Sequence, residues 1–170
     1  MRQLGYIHLG VRGLGLMYIA VVALTMLLLP ACSIIVEHNV NTDVSIVPLV
    51  GRWFVFWGVG VRLGLAGLRQ IIQPGFTARD IFKITGNEAL PVVRELGFAN
   101  ISTGVVALAS VVMKTFVLPA AIVGGIFYAM AGFTHVTAHG QSRNETIAMV
   151  SDFFVSAVLA VFAIATLAGY

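Results

Sequence analysis

Five apolar stretches dominate this chain, at about residues 13–36, 50–72, 91–113, 116–137 and 147–169. Each is long enough to cross a hydrocarbon core of roughly 30 Å, which takes about 20 helical residues. Each must be helical, because an open strand would leave its backbone groups unpaired in lipid. The expected fold class is therefore all-α, a polytopic transmembrane bundle of five helices. Composition agrees. Of the 170 residues, 59% are hydrophobic and 10% charged, where a soluble domain carries roughly 25% charged residues. Ten basic and seven acidic side chains could not clothe a globular surface.

The basic side chains also suggest an orientation. If the N-terminus marks one side, that side collects Arg2, Arg12, Arg79, Lys83 and Arg143, with Arg69 and Arg94 at its edge. The opposite side holds Arg52 and Lys114. The positive-inside rule then puts the N-terminus in the cytoplasm and Tyr170 outside. These residues are spread along the chain and form no binding stripe, so the pI of 9.4 points to topology and not to nucleic acid. Trp53 and Trp57 are expected in an outer aromatic belt.

Cys32 is the one cysteine, which excludes an internal disulfide or a CxxC pair. It follows Leu29-Pro30-Ala31, so the first helix reads either as an uncleaved anchor or as a lipoprotein signal. In the longest loop, Pro74-Gly75 makes a turn and Thr77 with Asp80 resembles a capping box. A short interfacial helix carrying Ile81, Phe82 and Ile84 is expected to follow and to end at Gly86. Neither Walker loop, dinucleotide fingerprint, nucleophile elbow nor zincin motif occurs. No cofactor and no metal are expected, although His135 and His139 stand one turn apart.

Inside the helices, Gly60, Gly64 and Gly67 share one face of the second helix, with Arg62 and Arg69 nearly opposite. Small-residue spacing of this kind lets helix backbones approach closely. That face is expected to meet a partner helix, a second copy of the chain or the first helix. One stripe of the third helix carries Glu95, Ala99, Ser102 and Ala109. The fourth carries Ala121, Gly124, Tyr128, Gly132 and His135, and the fifth Asp152, Ser156, Leu159, Ala163 and Thr166.

Alternating helix direction brings Arg69, Glu95, His135 and Asp152 to similar depth, with Arg62 deeper. Ionisable groups in lipid are costly unless paired or wet, so they should face one another. The candidate ligand-binding residues are Arg62, Arg69, Glu95, Asn100, Tyr128, His135 and Asp152. Three readings fit: a salt-bridged scaffold, a site for a small hydrophobic molecule such as a lipid or quinone, or a proton-coupled carrier or small membrane enzyme using Glu95, His135 and Asp152. Catalysis of the soluble-enzyme kind has no foothold.

From about Gly51 onwards the chain resembles the DoxX-like group of small bacterial four-helix membrane proteins. Gly51-Arg52 and Leu63-Gly64-Leu65-Ala66-Gly67-Leu68-Arg69-Gln70 carry the likeness. Leu90-Pro91-Val92-Val93-Arg94-Glu95-Leu96-Gly97-Phe98-Ala99-Asn100, and Arg143-Asn144-Glu145 to Ser151-Asp152, look like an uncharacterised family of that general type. The resemblance implies an N-terminal anchor and outer loop over 1–49 and a DoxX-like four-helix domain over 50–170. It also implies an inner-membrane accessory subunit, since DoxX-type proteins are associated with quinone-linked and envelope-stress processes. This chain lacks the cysteines of a redox role.

Overall fold

The computed structural model describes residues 17–82, 84–137 and 143–170. Within these residues lie five helices long and apolar enough to span a membrane, and no strand. We label them α1 (Met17–Val40), α2 (Ile46–Ile72), α3 (Ala89–Ala109), α4 (Val117–Thr137) and α5 (Arg143–Leu167). The chain is thus an all-α membrane bundle. The expected start of the first span at residue 13, together with Arg2, His8, Arg12, Lys83 and His139, lies outside the described residues.

Two helices are locally wider than an α-helix. Leu24–Leu28 of α1 is π-helical, and the Leu29 N–H reaches the Leu24 carbonyl five residues back. Buried Pro30 follows at once. A proline inside an α-helix removes one hydrogen bond and clashes with the preceding turn. The wider turn takes up that misfit. The lipoprotein-like Leu29-Pro30-Ala31-Cys32 segment therefore sits in the middle of a continuous membrane helix. In α2 the π stretch is Phe54–Val61, and it packs against the π stretch of α1.

Helix α2 is central, and its glycine face is covered within the chain at Gly60 and Gly67. A Cβ added to Gly67 would lie 2.6 Å from the Gly97 carbonyl oxygen, and one added to Gly104 would lie 3.0 Å from the Gly60 oxygen and from the Gly64 nitrogen. The backbones of α2 and α3 thus touch, as van der Waals packing in lipid favours. Of the face expected to meet a partner helix, a homodimer or α1, the third helix takes Gly60 and Gly67, while a Cβ added to Gly64 would meet nothing within 4 Å.

The other contacts use the same device. Gly124 of α4 admits Val59, Gly132 admits the Phe153 ring, and the Ser156 hydroxyl donates to the Gly125 carbonyl at 2.9 Å. Gly51 faces Phe162 and Gly58 faces Val155, which sets α5 antiparallel against α2. Val22 and Met26 of α1 join Val55, Val59, Leu63, Tyr128, Val155 and Leu159 in one buried core. Helix α1 is therefore part of the bundle's packing.

Two further expectations change. The buried stripe of α3 is Val93, Gly97, Asn100, Gly104 and Ala107, while Glu95, Ala99 and Ser102 are exposed. The glycine contacts with α2 set that rotation. After α2, helical turns cover Pro74–Phe76 and Thr77–Ile81, so the loop helix starts before Thr77 and ends well before Gly86. Pro74, Thr77 and Ala78 are buried, whereas Phe82 and Ile84 are exposed.

Candidate functional site

The π stretch of α2 ends directly at Arg62, and this has a chemical consequence. The Arg62 N–H bonds to the Trp57 carbonyl, five residues back, and so passes over the Gly58 carbonyl it would reach in an α-helix. The hydroxyl of Tyr128, a residue buried on α4, donates to the Gly58 oxygen. Arg62 and Tyr128 are thereby fixed at one level of the bundle.

Asp152 comes to that level from α5. Gly51 faces Phe162 and Gly58 faces Val155, seven residues on in α2 and seven back in α5. One turn further along α2 is Arg62, and one turn further back on α5 is Asp152. Asp152 is only 7% exposed. Among the described residues, no donor hydrogen-bonds to it and no direct ion pair joins it to Arg62. Their charges nonetheless act on one another, and both act on Tyr18 and Tyr128.

Tyr18 of α1 completes the group. Its hydroxyl accepts a long bond, 3.5 Å, from Arg62 Nη2, and the guanidinium carbon stands 5.6 Å from the centre of the Tyr18 ring. The Arg62 Nε is buried and meets no acceptor. Four helices therefore surround one arginine and one carboxylate whose hydrogen-bonding capacity the described residues leave unfilled. Such groups persist inside membranes mainly where function needs them.

Of the residues singled out from sequence, Arg62, Tyr128 and Asp152 come together. The others go elsewhere. Arg69 stacks on the Phe76 ring, 3.5 Å from its centre. Asn100 is buried and donates to Gln70 Oε1 at 2.8 Å, which joins α3 to α2. His135 is half-buried and feels the charge of Glu145, itself buried at the start of α5. Glu95 is exposed on the outer face of α3.

Sequence reasoning missed Tyr18, Gln70 and Glu145. For Glu145 a signal existed, since it precedes Asp152 by two helical turns on the same face. Tyr18 carried none, because nothing local ties it to α2. A second polar group was also missed, at the far end of α1 and α2. Arg52 Nη1 donates to Glu37 Oε1 at 2.6 Å, Trp53 Nε1 to Glu37 Oε2 at 2.7 Å, and Trp57 Nε1 to Ser33 Oγ at 3.0 Å. Arg52 Nη2 also reaches the Val111 carbonyl beyond α3 at 3.5 Å. The two tryptophans thus tie α1 to α2 through their indole N–H groups.

Comparison with known proteins adds family membership. No curated protein and no solved structure matches the chain. One family model matches residues 16–170, described as a family of unknown function, DUF6790. The match takes in α1 as well as the four helices after it. Nothing in it bears on DoxX-type proteins in particular. A five-helix membrane bundle with an open charged pair at its centre is thus the form taken here by a member of the DUF6790 family, to which this chain belongs.

Proposed function

We propose that this protein is a membrane accessory or ligand-binding subunit, without enzymatic activity of its own, that holds a small hydrophobic molecule of lipid or quinone type by its polar end. The binding residues in this reading are Arg62 and Asp152, with Tyr128 and Tyr18 beside them. One observation carries it: the part-buried Arg62 and the buried Asp152 stand at one level of the bundle with no direct ion pair between them. Buried charges that serve only as scaffold are normally paired and hydrogen-bonded. In the same reading Arg69, Asn100, His135 and Glu95 support the bundle's ends and seams. The protein would sit in a bacterial inner membrane with its N-terminus cytoplasmic, as the distribution of basic residues suggests. A distant kinship with DoxX-type subunits fits this reading.

The test is native mass spectrometry of the protein released from a mild detergent, with identification of what comes off. The expected result is one bound small molecule per chain, lost on Arg62→Gln. A ligand-free mass under conditions that preserve bound lipid in other membrane proteins would overturn the reading. A second reading, a proton-coupled carrier, draws on Asp152 and on the His135–Glu145 interaction in the same α4–α5 seam. It predicts a proton-dependent flux in vesicles that Asp152→Asn abolishes.

A further inference from the structure

A groove on the lipid-facing side of the bundle runs between the first turns of α2 and the second half of α5. Ile46, Val47 and Val50 form one wall and Ala157, Val158 and Val161 the other, around a volume of about 420 Å³. Its floor is the buried Phe162 ring, which reaches the α2 backbone because Gly51 has no side chain to hold it off. Phe154 closes the inner end, with its ring edge-on to Phe54 at 5.9 Å between centroids. Neither Arg62 nor Asp152 lines the groove, so it is separate from the binding site proposed above.

The walls restrict what fills it. No polar side chain lines the groove, so water finds none of the hydrogen-bond partners it needs there. Left empty, the groove would forfeit dispersion contacts along its whole length. A partner helix fits poorly, because close helix approach in lipid uses small residues and only Ala157 and Ala165 are small here. A slender hydrocarbon chain meets no such obstacle. The mouth also suits one: Ile46 is the first residue of α2, and Ala165 lies in the last turn of α5. From Ala165 to Phe154 the groove covers about 16 Å at 1.5 Å per residue. A chain that starts at head-group level can therefore run inward along all of it.

We propose that this groove seats one acyl chain of a membrane phospholipid, recognised by its shape and not by its head group. Groove and bilayer are equally apolar, so packing alone holds the chain there. The probe is phosphatidylcholine carrying a diazirine midway along one acyl chain. It is photolysed in nanodiscs that hold the full chain, and the labelled residues are mapped by mass spectrometry. Labelling should concentrate on Val50, Ala157 and Val158, above Val105 and Val123, which face lipid on α3 and α4. Phosphatidylglycerol with the same chains should give the same map. Ala157→Phe fills the groove from an exposed position and should abolish the excess at Val50. Val161→Trp should do the same from the neighbouring turn.

Even labelling over all lipid-facing positions would overturn the proposal, since it would show only the ordinary lipid surround. So would an excess seen with one head group and not the other. Weaker labelling of Val50 and Val158 than of Val105 would mean that a protein surface, such as a second copy of the chain, covers the groove. An excess at Val50 that survives both substitutions would place the chain elsewhere. The map on the unaltered protein needs no variant, and either substitution suffices if the other fails to fold.

Discussion

Arg52 and Arg62 stand on the same helix, and each meets a carboxylate from another helix, yet the two meetings differ in kind. Arg52 closes on Glu37 at 2.6 Å, shares it with the Trp53 indole and caps the Val111 carbonyl. Arg62 faces Asp152 without an ion pair and holds Tyr18 at 3.5 Å, while the Nε of each arginine is buried without an acceptor. The closed pair fastens α1 to α2 and to the turn after α3. The open one is placed by four helices and fastens none of them strongly. A bundle that closes one Arg–carboxylate ion pair directly shows what a scaffold contact looks like in this chain. The departure from it at Arg62 is the physical basis for assigning function there.

Stability measurements in one detergent can break or sharpen this contrast. Glu37→Ala removes the ion pair and the Trp53 acceptor and leaves the Arg52 charge in a part-buried seam. It should cost the most, about 3 kcal/mol. A cost under about 1 kcal/mol would show that the closed pair is no fastener. Tyr128→Phe removes the buried bond from α4 to the Gly58 carbonyl. A loss of about 2 kcal/mol is expected, and an unchanged unfolding midpoint would mean that the backbone re-forms its own bond there.

Trp57→Phe keeps most of the ring packing and removes only the bond to Ser33. It should cost about 1 kcal/mol. The double change Arg62→Gln with Asp152→Asn should move stability least, within about 1 kcal/mol and in the stabilising direction, because it removes two poorly satisfied buried charges together. A loss comparable to that of Glu37→Ala would place both pairs in the same structural class and erase the contrast. If stability rises while bound ligand disappears, the open pair is held for function at the expense of stability.

The legible and illegible parts of the site divide along the same lines. Tyr128, Gly124 and Gly132 were readable because they share a periodic stripe that α5 and α2 do cover. Asp152 was readable because a carboxylate within an apolar helix has few places to go. Glu95 misled for the converse reason. It lies less than two turns from the start of α3, where a long side chain reaches the interface, so it need not turn inward. Asn100 was correctly buried but satisfied by Gln70, a pairing across two helices that no local pattern announces.

Hydropathy alone settled that this chain crosses a membrane five times as helices, because the demand that every backbone group be bonded in lipid acts on each segment separately. It settled also where small residues would allow close approach. Which helix makes that approach was decided only in the folded bundle: α3 packs on Gly60 and Gly67 of α2, and α1 brings Tyr18 to Arg62. In lipid every apolar face is equally comfortable, so helix rotation is chosen by shape and by a few polar contacts between segments distant in sequence. The π stretches add a second reason. By changing the turn ahead of Arg62 they reset which way it faces, and only the packing of Gly58 against Val155 and the bond from Tyr128 fix that choice.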